Sequence, residues 1–208
     1  MQQKPHFKAH PRVGIASRGA GIDLAGASVI KSAYLAADQF LPLVICPALE
    51  GVNLLSWAAN EREYIRKELA KHGAILFRGF NMDSPELFEQ FAQIISSELF
   101  EHYGDLPHEV VSARVYSSTP YPADKTILFH NEGSHQYQWP MKIWFYCVKS
   151  AESGGATPIV DCRQLYQLLN PQIAQRLAEK KLMYVRNFIE GLDVSWQQFF
   201  GTSDKDLV

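Results

Sequence analysis

Residues 126–148 read TILFHNEGSHQYQWPMKIWFYCV. Two β-prone runs, TILFH (Thr126 to His130) and KIWFYCV (Lys142 to Val148), flank a polar stretch with two histidines and a carboxylate. KIWFYCV is apolar on both faces, the pattern of a strand packed on both sides inside a sandwich or barrel. If TILFHNE is extended, residues two apart share a face, so His130 and Glu132 project together and Asn131 points away.

Downstream, TPIVD (Thr157 to Asp161) and LMYVRNF (Leu182 to Phe188) read as further strands, with Gly154 and Gly155 marking a turn. Helical segments are expected from Gln164 to Leu169 and from Pro171 to Lys180. Ser195 caps a last helix in SWQQFF, and Gly201 stops it. Upstream, Asn60 and Glu63 have capping-box spacing. Ile65 and Leu69 then recur at helical period, and Gly73 is placed to end that helix. The run AILF (Ala74 to Phe77) reads as a buried strand. Ser84 and Pro85 open another helix, whose apolar stripe is Leu87, Phe88, Phe91, Ile94 and Ile95. LPLVICP, bracketed by two prolines, suits a short strand. Residues 1–30, with Gly14, Gly19, Gly21 and Gly26 and little periodicity, read as a loosely ordered leader, and 31–208 as one domain. Helices first and strands second give an α+β class.

The bulk composition narrows the chemistry. The chain has 208 residues, 47% hydrophobic and 20% charged, with a formal net charge of -2. That is a globular profile without the basic block of a nucleic-acid surface. No apolar run reaches the roughly 20 residues of a membrane span, and the N-terminal stretch lacks a signal-peptide core. The three cysteines, Cys46, Cys147 and Cys162, form no CxxC pair. They are expected to be reduced, buried thiols of a cytoplasmic protein.

One imidazole and one carboxylate on a common face are two of the three ligands of the facial triad in non-haem Fe(II) oxygenases. The pair alone carries little weight. With 22 acidic residues in 208 and seven histidines, composition gives roughly 0.7 chance matches to H-x-[DE]. A polar strand end with a satisfied histidine and a surface glutamate is the competing reading.

A run of blocks adds what the pair lacks. HGAILFRGF (72–80), TPYPAD (119–124), FHNEGSH (129–135), WP with KIWFYC, AESGGATPIVDCR (151–163), MYVRN (183–187) and SWQQFFGT (195–202) resemble, in order and spacing, the TauD/TfdA family of Fe(II)- and 2-oxoglutarate-dependent dioxygenases. The likeness runs from about residue 31 to the end and is closest to the SyrP-like branch of nonribosomal peptide synthesis. It implies a double-stranded β-helix (jelly roll) with flanking helices, binding Fe(II), 2-oxoglutarate and O2. It also implies His130 and Glu132 as iron ligands and Thr157, in GGAT, at 2-oxoglutarate. A carboxylate at 132 separates the chain from the related halogenases, which have a small residue there. Arg114, Ser134 and His135 are the residues that would face an amino-acid substrate, and a surface or turn role is open for each.

The implied reaction is hydroxylation of an amino acid, free or tethered to a peptidyl carrier protein, in antibiotic or other secondary metabolism. The resemblance also requires a distal histidine followed by an arginine that pairs bidentately with a carboxylate of 2-oxoglutarate. The last histidine here is His135. The expectation is therefore an incomplete jelly roll, truncated at its C-terminal part and inactive alone. The alternative function is a binding or interaction protein, or one completed by a partner chain or homo-oligomer across its unclosed sheet edge.

Overall fold

A computed structural model describes residues 29–100, 109–118, 126–136, 138–189 and 195–208. Residues 1–28 of the expected leader, the histidines at 102 and 108, and the TPYPAD block beyond Ser118 lie outside the described residues.

LVICP and ILF build the centre. Strand β2 (Leu43–Pro47) is flanked by β1 (Ile30–Tyr34), which is antiparallel to it with Tyr34 opposite Leu43 and Ile30 opposite Pro47. On its other side β3 (Ile75–Phe77) runs parallel, Ile45 opposite Phe77. A parallel pair needs a crossover, and two helices supply it. These are α1 (Leu54–Asn60) and α2 (Arg62–His72). Ile45 is fully buried, and Leu43, Leu54, Trp57, Ala58 and Ile65 close over it.

Helix α3 (Pro85–Ile95) covers the same core. Ser84 caps it by accepting from the Leu87 N–H at 3.3 Å, and Pro85 occupies the first turn, as its sequence requires. Phe91 is buried edge-on against Phe77, centroids 4.9 Å apart. A short ribbon, β4 (Val110–Ser112) and β5 (Val115–Tyr116), leans on α3, where the Ser112 hydroxyl donates to the buried Glu89 carboxylate. The second half carries α4 (Cys162–Leu168), α5 (Pro171–Lys180) and α6 (Trp196–Phe200). Ser195 caps α6 and Gly201 ends it in the left-handed region, as expected.

Several expectations are corrected. The capping box at Asn60 is not used: Asn53 caps an unforeseen α1, accepting from the Ser56 N–H at 2.8 Å. Asn60 is that helix's last residue, and its side chain donates to the Ser56 carbonyl. Strands precede as well as follow helices, so the order "helices first" fails while the α+β mixture stands. The runs 126–130, 142–148, 157–161 and 182–188 form no ladder among the described residues. β-propensity describes a side chain's fit to a pleated surface, and a strand exists only where a neighbour takes its backbone N–H and C=O groups.

KIWFYCV nevertheless alternates. Trp144 and Tyr146 turn inward onto α3: Trp144 meets Phe91 edge-on at 5.8 Å, and Tyr146 stacks on Phe88 at 5.3 Å. The Tyr146 hydroxyl donates to the Met82 carbonyl at 2.8 Å. Ile143 and Phe145 face out, Phe145 being 68% exposed. Cys147 and Cys162 are also exposed rather than buried, and all three cysteines are outside any disulfide.

Candidate functional site

His130 and Glu132 converge, but a turn brings them together rather than a strand. After Leu128 the chain bends through Glu132 to His135, with Gly133 at φ 63° and the Ser134 N–H donating to the Asn131 carbonyl. Nε2 of His130 lies 3.6 Å from Oε2 of Glu132. Nδ1 of His130 lies 2.8 Å from the Leu128 carbonyl oxygen. A carbonyl only accepts, so Nδ1 carries the hydrogen. In the neutral ring Nε2 is then a lone pair facing a carboxylate oxygen. Two acceptors so placed can share a cation between them. A histidine whose far nitrogen is anchored to a backbone carbonyl is the usual arrangement of a metal-ligating imidazole.

The donor set fits a divalent ion of borderline hardness. Two donors each about 2.1 Å from one ion can lie 3.6 Å apart. His130 is 60% exposed and Glu132 30%, so an ion held by the pair would be reachable from solvent. No group of three metal-binding side chains assembles among the described residues.

The other expected residues are placed as follows. Ser134 Oγ lies 3.4 Å from the Tyr184 hydroxyl. The His135 ring turns to Tyr184 and Phe199, at 6.1 and 6.4 Å. Thr157 follows the two glycines and is exposed, with no hydrogen bond to the His130–Glu132 pair. Gly155, at φ 68°, must be glycine: a Cβ there would lie 2.7 Å from the Ala151 Cβ. Arg114 belongs to a different element, the turn between β4 and β5. The structure thus unites His130 with Glu132, links Ser134 and His135 to Tyr184, and leaves Thr157 and Arg114 on separate segments.

Three neighbours were not singled out from sequence. The Cys162 thiol donates to Asn131 Oδ1 at 3.3 Å, tying the start of α4 to the residue between the two converging side chains. Asp161 caps α4 through the Arg163 N–H at 2.9 Å and pairs with the Arg163 guanidinium at 2.7 Å. That guanidinium also donates to the Ala70 and Lys71 carbonyls, the last turn of α2, where positive charge is favoured. An aspartate just before a helical run is a capping signal, and DCRQLYQL carries it.

The Arg163 side chain, and then its backbone N–H, hold the Asp161 carboxyl down to about 2 from 3.8. A depressed carboxyl contributes stability above its unfolded value and loses it as pH falls through the folded one. The pairing of Asp161 with Arg163 at the start of α4 is therefore expected to persist above pH 4 and to loosen as pH drops toward 2. Carboxyl 13C shifts through an acid titration check this; a midpoint at the ordinary aspartate value would contradict the pairing.

His72 also has a carboxylate partner. It is buried at the end of α2, with Nδ1 on the Phe40 carbonyl at 3.2 Å and Nε2 3.2 Å from Glu68. It is the last residue of α2 and ties the helix end to the 35–42 loop. No helix among the described residues is long and apolar enough to cross a membrane.

Comparison with known proteins converges on one family. The family model described as "Taurine catabolism dioxygenase TauD, TfdA family" matches residues 39–204. The dapdiamide synthesis protein DdaC of Enterobacter agglomerans is 38% identical over 138 residues, covering 66% of this chain and 42% of that protein. A clavaminate synthase-like protein of Arabidopsis thaliana is 32% identical over 171 residues, covering 77% of this chain and 52% of that protein. The chain spans about half the length of the curated relatives it matches.

Proposed function

Because this chain belongs to the TauD/TfdA family of dioxygenases, we propose that it is the N-terminal and central part, residues 31–208, of an Fe(II)/2-oxoglutarate-dependent hydroxylase with an incomplete jelly roll. Dependence on Fe(II) and 2-oxoglutarate is general in this family. The observation that carries the reading is the convergence of His130 Nε2 and Glu132 Oε2 at 3.6 Å, inside the family-matched span. When bound, iron would supply the activation of O2 that this chain's side chains cannot supply themselves.

The chain's own residues hold and orient. His130 offers Nε2 while the Leu128 carbonyl fixes its ring through Nδ1–H. Glu132 offers an anionic oxygen from the same turn. Thr157 would hydrogen-bond 2-oxoglutarate, and Arg114, Ser134 and His135 would face the substrate. The substrate class is an amino acid, free or on a peptidyl carrier protein, in secondary metabolism in the cytoplasm. A relative named for dapdiamide synthesis supports that placement. The test is succinate release with Fe(II), 2-oxoglutarate, O2 and candidate amino acids. Substrate-dependent succinate is the expected result for the catalytically complete protein; absence of succinate from a preparation that binds iron would contradict it.

One observation favours a second reading for the 208-residue chain alone. No third metal-binding side chain joins the pair among the described residues, while Leu128, Phe129, Ile143 and Phe145 stand exposed on segments with strand sequence. In this reading the chain binds rather than turns over until a partner chain or a second copy completes the site.

A further inference from the structure

A short polar relay ties the His130–Glu132 turn to the body of the protein. Helix α2 is fixed in the core by Ile65, which is 2% exposed. An α-helix leaves its last four carbonyls without partners inside the helix. In α2 the Gly73 N–H takes the Leu69 carbonyl at 2.8 Å. The next two carbonyls are taken by Arg163, far along the chain. Its Nη1 donates to Ala70 at 2.7 Å and its Nη2 to Lys71 at 3.2 Å. The same guanidinium grips Asp161, with Nε 3.0 Å from Oδ1 and Nη2 2.7 Å from Oδ2. One planar fork thus joins two carbonyls and a carboxylate, which a lysine ammonium cannot do in the same geometry. Gly73 lies beneath the fork: a Cβ there would stand 3.4 Å from Arg163 Nη2 and 3.7 Å from Asp161 Oδ2.

Cys162 stands between the two residues that this fork holds. Its thiol donates to Asn131 Oδ1 at 3.3 Å. Asn131 is in turn the residue between His130 and Glu132, and its carbonyl accepts from the Ser134 N–H to close the turn. Asn131 is therefore held at both its side chain and its carbonyl. A thiol is a weak donor, so the contact acts by restricting the turn rather than by its own strength. Groups that orient ligands in this indirect way decide how well a small site binds.

We propose that Arg163 is a positioning residue for the His130–Glu132 pair, acting through Cys162 and Asn131. Its hydrogen bonds go to α2 and to Asp161; it sets the place of Cys162, and Cys162 sets the turn on which Nε2 of His130 and Oε2 of Glu132 meet. The consequence for metal rests on the reading of that pair as iron ligands. The coupling itself belongs to the metal-free chain.

The test uses the full chain, 15N-labelled and without metal. Arg163→Lys and Cys162→Ala are each expected to shift the amide signals of His130 to Ser134. Arg66→Ala, in the Glu63 pair on α2, is expected to leave them in place. Arg163→Lys keeps the charge but not the fork, so a purely electrostatic role would leave the turn unmoved. Adding Arg163→Lys to Cys162→Ala is expected to move the turn no further, because both act on one path. Cys162→Ser retains a donor and is expected to return the turn toward wild type. Titration with Co(II) is then expected to show affinity about tenfold lower for Arg163→Lys and for Cys162→Ala, with recovery in Cys162→Ser. Shifts confined to 70–73 and 161–165, or an equal further shift in the double variant, would overturn the proposal. Coupled shifts in a wild-type chain that binds no Co(II) would uphold the relay and overturn the metal reading of the pair.

Discussion

Glu132→Ala is expected to remove the divalent-metal affinity proposed for the 126–136 turn. The carboxylate oxygen stands 3.6 Å from His130 Nε2, and it is the only anionic donor paired with that ring among the described residues. Losing groups that merely hydrogen-bond a ligand typically costs about 10–100-fold in affinity. Losing a direct donor from so small a set is expected to cost at least about 100-fold by the same scale. Glu132→Gln is expected to fail almost as badly, since shape is kept but charge is not. Glu132→Asp keeps the charge on a shorter arm and is expected to bind more weakly without losing saturation. Anaerobic calorimetry with Fe(II), or absorption titration with Co(II), reads all three. Wild-type affinity in the alanine variant would refute the ligand assignment.

Phe91→Ala is expected to cost about 3–5 kcal/mol of stability, the range for a large aromatic lost from a packed core. The residue is 4% exposed and joins two bodies of structure. On one side it meets Phe77 of β3, and on the other Trp144 of KIWFYCV. Removing it both opens a cavity over the sheet and releases one of the aromatic ties between α3 and the segment that follows the His130–Glu132 turn. Phe145→Ala, one residue beyond Trp144 but 68% exposed, is expected to change stability by no more than about 0.5 kcal/mol. Urea unfolding of the two variants distinguishes a core contact from an apolar residue of the same type left outside. Similar losses for both would mean that the outward face of KIWFYCV is covered.

The contrast between those phenylalanines explains what the sequence could and could not disclose. Local signals were legible wherever the decision was local. Ser84 with Pro85, Gly73 at φ 78° and Ser195 with Gly201 mark helix ends, because a cap is a bargain between neighbouring residues. Asn60 reads as a cap where Asn53 serves instead, because the choice rests on which following residues bury, here Leu54, Trp57 and Ala58. Strands were legible only where their partners are local or well buried. Ile75–Phe77 pairs with β2, which lies across a two-helix crossover. TILFH and LMYVRNF have the side chains of strands but no paired neighbour among the described residues, so their pattern does not become a ladder. At the site, the shared direction of His130 and Glu132 was foreseen but the means was not. A turn through Gly133 brings them together, and the contact from Cys162 to Asn131 reaches it from 31 residues away.

The most direct test of the central claim locates the metal rather than weighing it. A 15N-labelled chain titrated anaerobically with a paramagnetic divalent ion such as Mn(II) loses amide signals in proportion to their proximity to the bound ion. The account predicts that broadening begins at Leu128 to Ser134 and extends to Cys162, which contacts Asn131. It also predicts that Glu132→Ala abolishes this. Broadening centred instead on Glu68 and His72, a second histidine–carboxylate pair at 3.2 Å, or spread evenly over surface carboxylates, would contradict it.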